Sequence, residues 1–372
     1  MRRVLPVAAF TAAAVAVALD ADHAHAAADQ SWRAFVLVAG LLLVGVVAAD
    51  DGLFGWLASR LDAIPGSGRR LFFAGLLLVA VTTAVLNLDT AVVFLTPVMV
   101  AAARRRGVDE RPFLYGTIFM VNASSLFLPG SNLTNLIVIG HEHVSGSEFL
   151  RRMLPAAVGA VVVTALATWL LERPRLGGGV LRATTTRRPG PLGLIATAVV
   201  VVLLLASSDP ALPVLALGLV AAGLLAARGR LSRADLVEAV NPVALAAIFC
   251  VAVALGTLAR SWTAPAELMA DAARVPTAVI GALAAVLLNN LPAAALLSAD
   301  TPHHARALLI GLNIGPNLAV TGSLSAFLWL QAARNTGARA SIGRYSRLGL
   351  VVAPAGIAGA LLALYVLAPS RV

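Results

Sequence analysis

The sequence predicts an all-α polytopic membrane protein built from two inverted-topology repeats, each with a re-entrant hairpin and a broken transmembrane helix. Three observations predict it. The first is composition: of 372 residues, 59% are hydrophobic and 12% charged, and mean hydropathy is +0.89. Soluble domains carry about 25% charged residues, so this chain is made for lipid. The second is a pair of apolar stretches, Phe113–Gly140 and Ala305–Ala333, each interrupted in its middle by small and polar residues. The third is charge placement. The formal net charge is +10, every cation is arginine, and the arginines cluster in short segments, as the positive-inside rule expects of cytoplasmic loops.

In chain order, Arg2 and Arg3 precede an apolar run, Val4–Leu19. At about 16 residues it is short for a span. Ala24-His25-Ala26 resembles a signal-peptidase site, but an uncleaved first helix is favoured, with a cytoplasmic N-terminus and Asp20–Ser31 as an outer loop. Ala34–Ala49 runs back inward. An amphipathic piece, Leu53–Leu61, follows, and Arg60, Arg69 and Arg70 mark the inner side.

Leu71–Ala103 is apolar except for Asn87-Leu88-Asp89-Thr90 at its centre, and it ends at Arg104, Arg105 and Arg106. A single crossing would put those arginines outside. A hairpin that turns at Asn87–Thr90 keeps the arginines at both ends inside, so a re-entrant hairpin is expected, with Thr96-Pro97 bending its returning arm. Phe113–Gly140 then crosses outward to His141-Glu142-His143, interrupted by Asn122, Ser124, Ser125, Pro129, Gly130, Ser131, Asn132, Thr134 and Asn135. Leu154–Leu171 returns. Arg173–Gly190 reads as a flexible, exposed cytoplasmic linker.

The second half repeats the pattern. Leu192–Ala206 crosses outward, Leu212–Ala227 returns to Arg228, Arg230 and Arg233, and Pro242–Ala259 crosses outward again. Pro276–Ala299 carries Asn289-Asn290-Leu291-Pro292, the counterpart of the first tip, and with Ala264–Val275 it is expected to form a hairpin entered from outside. Ala305–Ala333 is the second broken helix and ends among inner arginines. Leu348–Leu367 is the last span, leaving the C-terminus outside. Hairpins do not cross, so two such halves alone would point the same way. The additional helix Leu192–Ala206 inverts the second. Residues 1–172 thus read as the first repeat, 173–190 as the linker, and 191–372 as the linking helix plus the second repeat.

Unwound backbone at membrane depth persists only where it is buried in protein or lines a cavity. Paired broken helices in inverted repeats are the pattern of a carrier whose site lies at the repeat interface near mid-membrane. A channel also lines its pore this way; trans-stimulation separates the two. Other classes are excluded by what the chain lacks. Without lysine there is no Walker A loop. There is no His-Glu-x-x-His and no Gly-x-Ser-x-Gly, so no enzyme activity and no cofactor are expected, and nothing calls for a nucleic-acid partner. Cys250 has no second cysteine to pair with.

The tips NLDT and NNLP, with LPGSNLTN and above all GLNIGPNLAVTGS, resemble the arsenite permease family of the ion transporter superfamily, which is related to divalent-anion/sodium symporters and citrate carriers. The resemblance covers nearly the whole chain. It implies a secondary carrier extruding trivalent arsenic or antimony, with a cytoplasmic ATPase partner in some systems and with a homodimer left open. By motif, the site would be formed by Asn87, Asp89, Thr90, Ser131, Asn132, Asn289, Asn290, Asn317, Thr321, Gly322 and Ser323. The chain departs from the family pattern in being shorter, in Asn-Leu-Asp-Thr where a second Asn is usual, and in Pro-Gly-Ser-Asn where Thr-Pro-Ile-Gly-Asn is usual. These departures bear on substrate more than on fold.

Arsenite near neutral pH is mostly As(OH)3, which needs both donors and acceptors; amides and hydroxyls supply both. A dicarboxylate, citrate or inorganic oxyanion would instead seek N–H groups at half-helix N-termini. No arginine falls inside an apolar run, which favours a neutral or weakly charged substrate. Asp89 is a lone carboxylate at membrane depth and so a functional candidate. It either takes up a proton or ligates Na⁺ with Asn87; the structural alternative is a cap on the returning half-helix. The histidines, His23, His25, His141, His143, His303 and His304, all fall in expected outer loops. They either bind metal or sense external pH, or are simply solvated. Gly322-Ser323 is expected to face Gly130-Ser131, with the two Asn tips closing a ring.

Overall fold

A computed structural model describes residues 4–140, 144–178, 188–300 and 302–366. The described residues contain eighteen α-helices and no strand. In the first half these are α1 (Val4–Leu19), α2 (Ala21–Asp50), α3 (Leu53–Asp62), α4 (Gly68–Leu86), α5 (Leu88–Arg106), α6 (Arg111–Ser124), α7 (Leu133–Val138) and α8 (Gly146–Glu172). The second half contributes α9 (Pro191–Ala206), α10 (Ala211–Ala227), α11 (Arg233–Val240), α12 (Pro242–Ser261), α13 (Ala264–Asp271), α14 (Arg274–Leu288), α15 (Asn290–Leu297), α16 (Ala305–Ile314), α17 (Leu324–Asn335) and α18 (Ile342–Tyr365). Five helical segments, Ala21–Asp50, Gly68–Leu86, Gly146–Arg175, Arg233–Ser261 and Ile342–Tyr365, are long and apolar enough to cross a membrane.

Three expectations are corrected. Asp20–Ser31 is not a loop: Asp20 caps α2 by accepting the His23 amide at 3.0 Å, and the alanine-rich run that follows is a strong helix former. At about 1.5 Å per residue, α2 is about 45 Å long, well beyond the ~30 Å hydrocarbon core. The second hairpin is α14 plus α15. Ala264–Val275 supplies no arm, because the chain is extended at Ala272 and Ala273, where Pro276 in its first turn starts α14 afresh. Finally, the linker's start is docked rather than free. Arg173–Arg175 forms a 3-10 turn, and buried Leu176 presents its carbonyl to Gly68, where an added Cβ would sit 2.8 Å from it. Of the linker's arginines, Arg182 and Arg187 lie outside the described residues, as do His141, His143 and Leu367.

The first hairpin is held shut at its foot. Arg106 donates to the carbonyls of Gly66 and Ile64, each at 2.8 Å, and Arg105 pairs with Asp62 at 2.9 Å. The end of α5 therefore returns to the start of α4. α18 relates the two hairpins. At its start Arg344 meets Glu172 at 2.5 Å, in the same region as Leu176 and the first hairpin's foot. At its far end the Tyr365 ring lies under Arg274, 4.6 Å away, at the second hairpin's foot. The hairpins thus enter from opposite ends of α18. Small residues let the long helices close in: a Cβ on Gly159 of α8 would lie 2.5 Å from the Gly359 carbonyl of α18, and one on Gly218 of α10 would lie 2.8 Å from the Gly40 carbonyl of α2, the usual packing device of helices in lipid.

Candidate substrate and coupling site

Four half-helices start in the interior, and each is capped by a residue singled out from the sequence. Asn87 caps α5, its Oδ1 accepting the Thr90 amide at 2.8 Å. Asn132 caps α7 through Thr134 at 3.1 Å, and Asn289 caps α15 through Leu291 at 3.4 Å. Ser323 caps α17 through Ala326 at 3.3 Å. Asn87 and Asn289 turn the hairpins with φ of 110° and 81° and ψ of 169° and 146°, a conformation that residues other than glycine rarely adopt. The cap on α5 is Asn87, so Asp89 does not serve as the cap.

The broken helices rest on the hairpins by the same contact in both halves. Ser131 Oγ donates to the Ala84 carbonyl at 3.1 Å; Thr321 Oγ1 donates to the Val286 carbonyl at 3.0 Å. Ala84 and Val286 each lie three residues ahead of their tip asparagine. Asn289 Nδ2 also donates to the Thr321 carbonyl at 3.1 Å, whereas the buried Nδ2 of Asn87 and Oγ1 of Thr90 have no protein partner.

Between the two broken helices lies a buried amide cluster. Asn313 Oδ1 accepts from Ser125 Oγ at 2.5 Å and from Asn132 Nδ2 at 2.6 Å. Its Nδ2 donates to Asn135 Oδ1 and to the Leu309 carbonyl, both at 2.8 Å. Asn122 donates to Asn317 Oδ1 at 2.8 Å, and Asn317 donates to the Phe119 carbonyl at 3.3 Å. Tyr345 satisfies the Pro316 carbonyl freed by the break, at 2.8 Å. Interior amides matched in this way, with Asn122 Oδ1 left without a partner, hold the two interrupted segments in one arrangement. A Cβ added to Gly130 would meet Leu204, Leu37 and Leu41, and one added to Gly322 would meet Pro316, so neither glycine presents its side-chain direction to the other.

Each returning arm crosses over to the other half: α5 packs on α17, and α15 on α7. In the first crossing Ser325 Oγ donates to Asp89 Oδ1 at 2.6 Å. In the second, the positions matching Asp89 and Ser325, each two residues after its cap, hold Leu291 and Thr134. The buried Thr134 hydroxyl has no partner. The carboxylate is therefore present on one side only.

Of the expected site residues, Asn87, Thr90, Ser131, Asn132, Asn290, Asn317, Gly322 and Ser323 are buried, Asp89 and Asn289 partly exposed, and Thr321 exposed. Asn317 spends its polar atoms on the cluster between the helices. Asn122, Ser125, Asn135, Asn313 and Ser325 were not among the residues expected at the site. A signal for two of them exists: Asn122 and Asn313 each stand ten positions ahead of a cap, Asn132 and Ser323. None of the hydrogen bonds to the four caps comes from an arginine. Among the described residues, no cluster of His, Cys, Asp and Glu could hold a metal ion.

The family model described as a citrate transporter, CitMHS, matches residues 1–330. The chain belongs to the CitMHS family. An uncharacterized transporter of Mycobacterium tuberculosis H37Rv is 26% identical over 371 residues, spanning 90% of this chain and 85% of the relative. Arsenical pump membrane proteins of Yersinia enterocolitica and Escherichia coli K12 are 24% and 25% identical, each spanning 86% of this chain and 83% of the relative. Among solved structures, the YdaH transporter of Alcanivorax borkumensis, described as having an unusual topology, superposes with a TM-score of 0.59 at 16% identity, covering 89% of this chain and 84% of that one. This CitMHS protein is accordingly a multi-pass membrane transporter with the all-helical fold of that structure, and its relatives include proteins named arsenical pumps.

Proposed function

We propose that this protein is a secondary active carrier that exports arsenite and antimonite, driven by the proton gradient or the membrane potential. The supporting observation is the Asp89–Ser325 pair set among asparagine, serine and threonine caps that receive no arginine hydrogen bond. Such a site offers donors and acceptors to a neutral oxyacid and gives no counter-charge to a multiply charged anion. In this reading Asn87, Thr90, Ser131, Asn132, Asn289, Asn290, Thr321, Gly322 and Ser323 line the substrate path. Asn317 holds it open through Asn122, and Asp89 carries the coupling proton or ligates Na⁺ with Asn87. Residues 1–172 and 191–372 act as inverted repeats joined by the 173–190 linker, in the inner membrane, with the N-terminus cytoplasmic and the C-terminus outside. A cytoplasmic ATPase and a second copy of the chain are the partners to look for.

One observation favours a second substrate class. The four interior half-helix N-termini direct their positive dipole ends inward, which suits a dicarboxylate, citrate or an inorganic oxyanion. Transport in proteoliposomes separates the readings: arsenite, antimonite, citrate, succinate and sulfate are compared under imposed proton and sodium gradients. Movement of arsenite on a proton gradient is expected. Movement of citrate or succinate on sodium, with arsenite immobile, would replace the first reading by the second.

A further inference from the structure

Thr90 behaves differently from Thr83 and Thr96 of the same hairpin. Those two turn their hydroxyls back to the carbonyls four residues earlier, Val79 at 2.8 Å and Val92 at 2.6 Å, the usual resting place of a threonine inside a helix. Thr90 is the third residue of α5, and the carbonyl four residues back belongs to Leu86, on the far side of the turn at Asn87. Its buried Oγ1 has no protein partner, and neither has the buried Nδ2 of Asn87, whose Oδ1 is spent on the Thr90 amide. At the second tip Asn289 Nδ2 is taken by the Thr321 carbonyl, and Pro292 occupies the place of Thr90. Buried polar groups are seldom left unmatched, so the first tip holds an amide and a hydroxyl ready for a ligand's oxygen.

The Thr90 side chain is set from outside its own hairpin. Gly45 of α2 faces it: a Cβ there would lie 2.6 Å from Thr90 Cγ2 and 3.3 Å from Oγ1. The Thr90 methyl therefore fills space that only glycine leaves. A side chain at position 45 would drive Thr90 into another χ1 well, and the hydroxyl would turn with the methyl. We propose that Gly45 is a positioning residue for substrate: by admitting the Thr90 methyl, it holds the Thr90 hydroxyl where, with Asn87 Nδ2, it binds an oxygen of the substrate. The inference rests on the carrier reading above and applies equally to an arsenite hydroxyl and to a carboxylate oxygen.

The test follows counterflow into proteoliposomes by the full-length protein, with arsenite, citrate and succinate as probes, and takes KM and kcat separately. The probe that the wild type moves decides between the two carrier readings; movement of none of the three overturns both of them and this inference with them. Gly45→Ala should raise KM about fivefold, the loss of one neutral hydrogen bond. Thr90→Val keeps the shape and removes the hydroxyl, so it should raise KM as much, and combining the two should add little. Thr90→Ser removes the methyl that a Cβ at position 45 would strike and keeps the hydroxyl. The double variant G45A/T90S should therefore return KM to within about twofold of Thr90→Ser alone. Melting temperatures identify any variant that fails to fold; if Gly45→Ala does, the comparison of G45A/T90S with Thr90→Ser decides by itself. A packing role alone would lower the melting temperature of Gly45→Ala and leave KM in place. Unchanged KM in folded Gly45→Ala, wild-type KM in Thr90→Val, or no rescue by Thr90→Ser would each overturn the proposal.

Discussion

Asp89 on the first hairpin and Ser325 on the second broken helix are 236 positions apart in the chain and 2.6 Å apart in space. The bond spans the two halves. It places the Asp89 carboxylate where a helix of the first half meets a helix of the second. A transporter that couples an ion to a substrate needs its titrating or ion-binding group at such a seam, so that binding biases one arrangement over the other.

Asp89→Asn keeps a side chain that can still accept from Ser325 but removes the ionisable group. Uptake into proteoliposomes should lose its response to imposed proton and sodium gradients, with gradient-driven flux falling at least about tenfold, while exchange of substrate across the membrane persists. Unchanged pH and sodium dependence in this variant would remove Asp89 from the coupling role.

Leu291→Asp, on α15, which packs on the helix that carries the unpaired hydroxyl of Thr134, installs the missing counterpart of Asp89. The wild type is expected to couple one charge per substrate through Asp89. The variant, if it folds, should move towards two. Reversal potentials measured at several substrate gradients report the ratio. A wild-type ratio of two would contradict the asymmetry argument.

Asn313→Leu leaves Asn132 Nδ2 and Asn135 Oδ1 buried without the partner they have in Asn313, while Ser125 keeps the Asn122 carbonyl. At about 1–3 kcal/mol per orphaned group, the loss should reach about 2 kcal/mol or more. Thermal unfolding in detergent should show a drop well beyond that of Ser325→Ala, which removes a single bond. Equal shifts for the two variants would mean that the amide cluster is no more cohesive than any single contact.

Gly311→Ala would place a Cβ 2.0 Å from the Ala278 carbonyl, forcing α16 away from α14, whereas Gly343→Ala in α18 meets nothing within 4 Å. The first should destabilise by about 1–3 kcal/mol through overpacking. The second should be neutral or stabilising by up to about 1 kcal/mol, since alanine is the better helix former. Melting temperatures of the pair check the packing register of α14 on α16 directly.

Much of the architecture was legible because lipid leaves few explanations for polar residues. Asn87–Thr90 inside an apolar run, flanked by arginines at both ends, admits a hairpin and little else, and Arg106 indeed closes that hairpin at its foot. The second hairpin was located by its tip but not by its arms. Nothing in the sequence from Ala264 to Val275, where Glu267, Asp271 and Arg274 punctuate the alanines, says where one helix stops and the next starts, and the extended residues Ala272 and Ala273 decide it. Asp20–Ser31 reads as a loop because three aspartates and two histidines suggest water, whereas an aspartate cap followed by alanines starts a helix.

The sequence by itself determined the membrane class, the paired polar interruptions and the candidates at their centres, since each follows from the cost of placing polar groups in hydrocarbon. Only the tertiary structure decided what those groups do. It made Asn87, Asn132, Asn289 and Ser323 helix caps and Asn313 the centre of the amide cluster, and it gave Asp89 a partner in the opposite half. These are contacts between residues far apart in the chain, and a one-dimensional pattern contains no term for which polar group meets which.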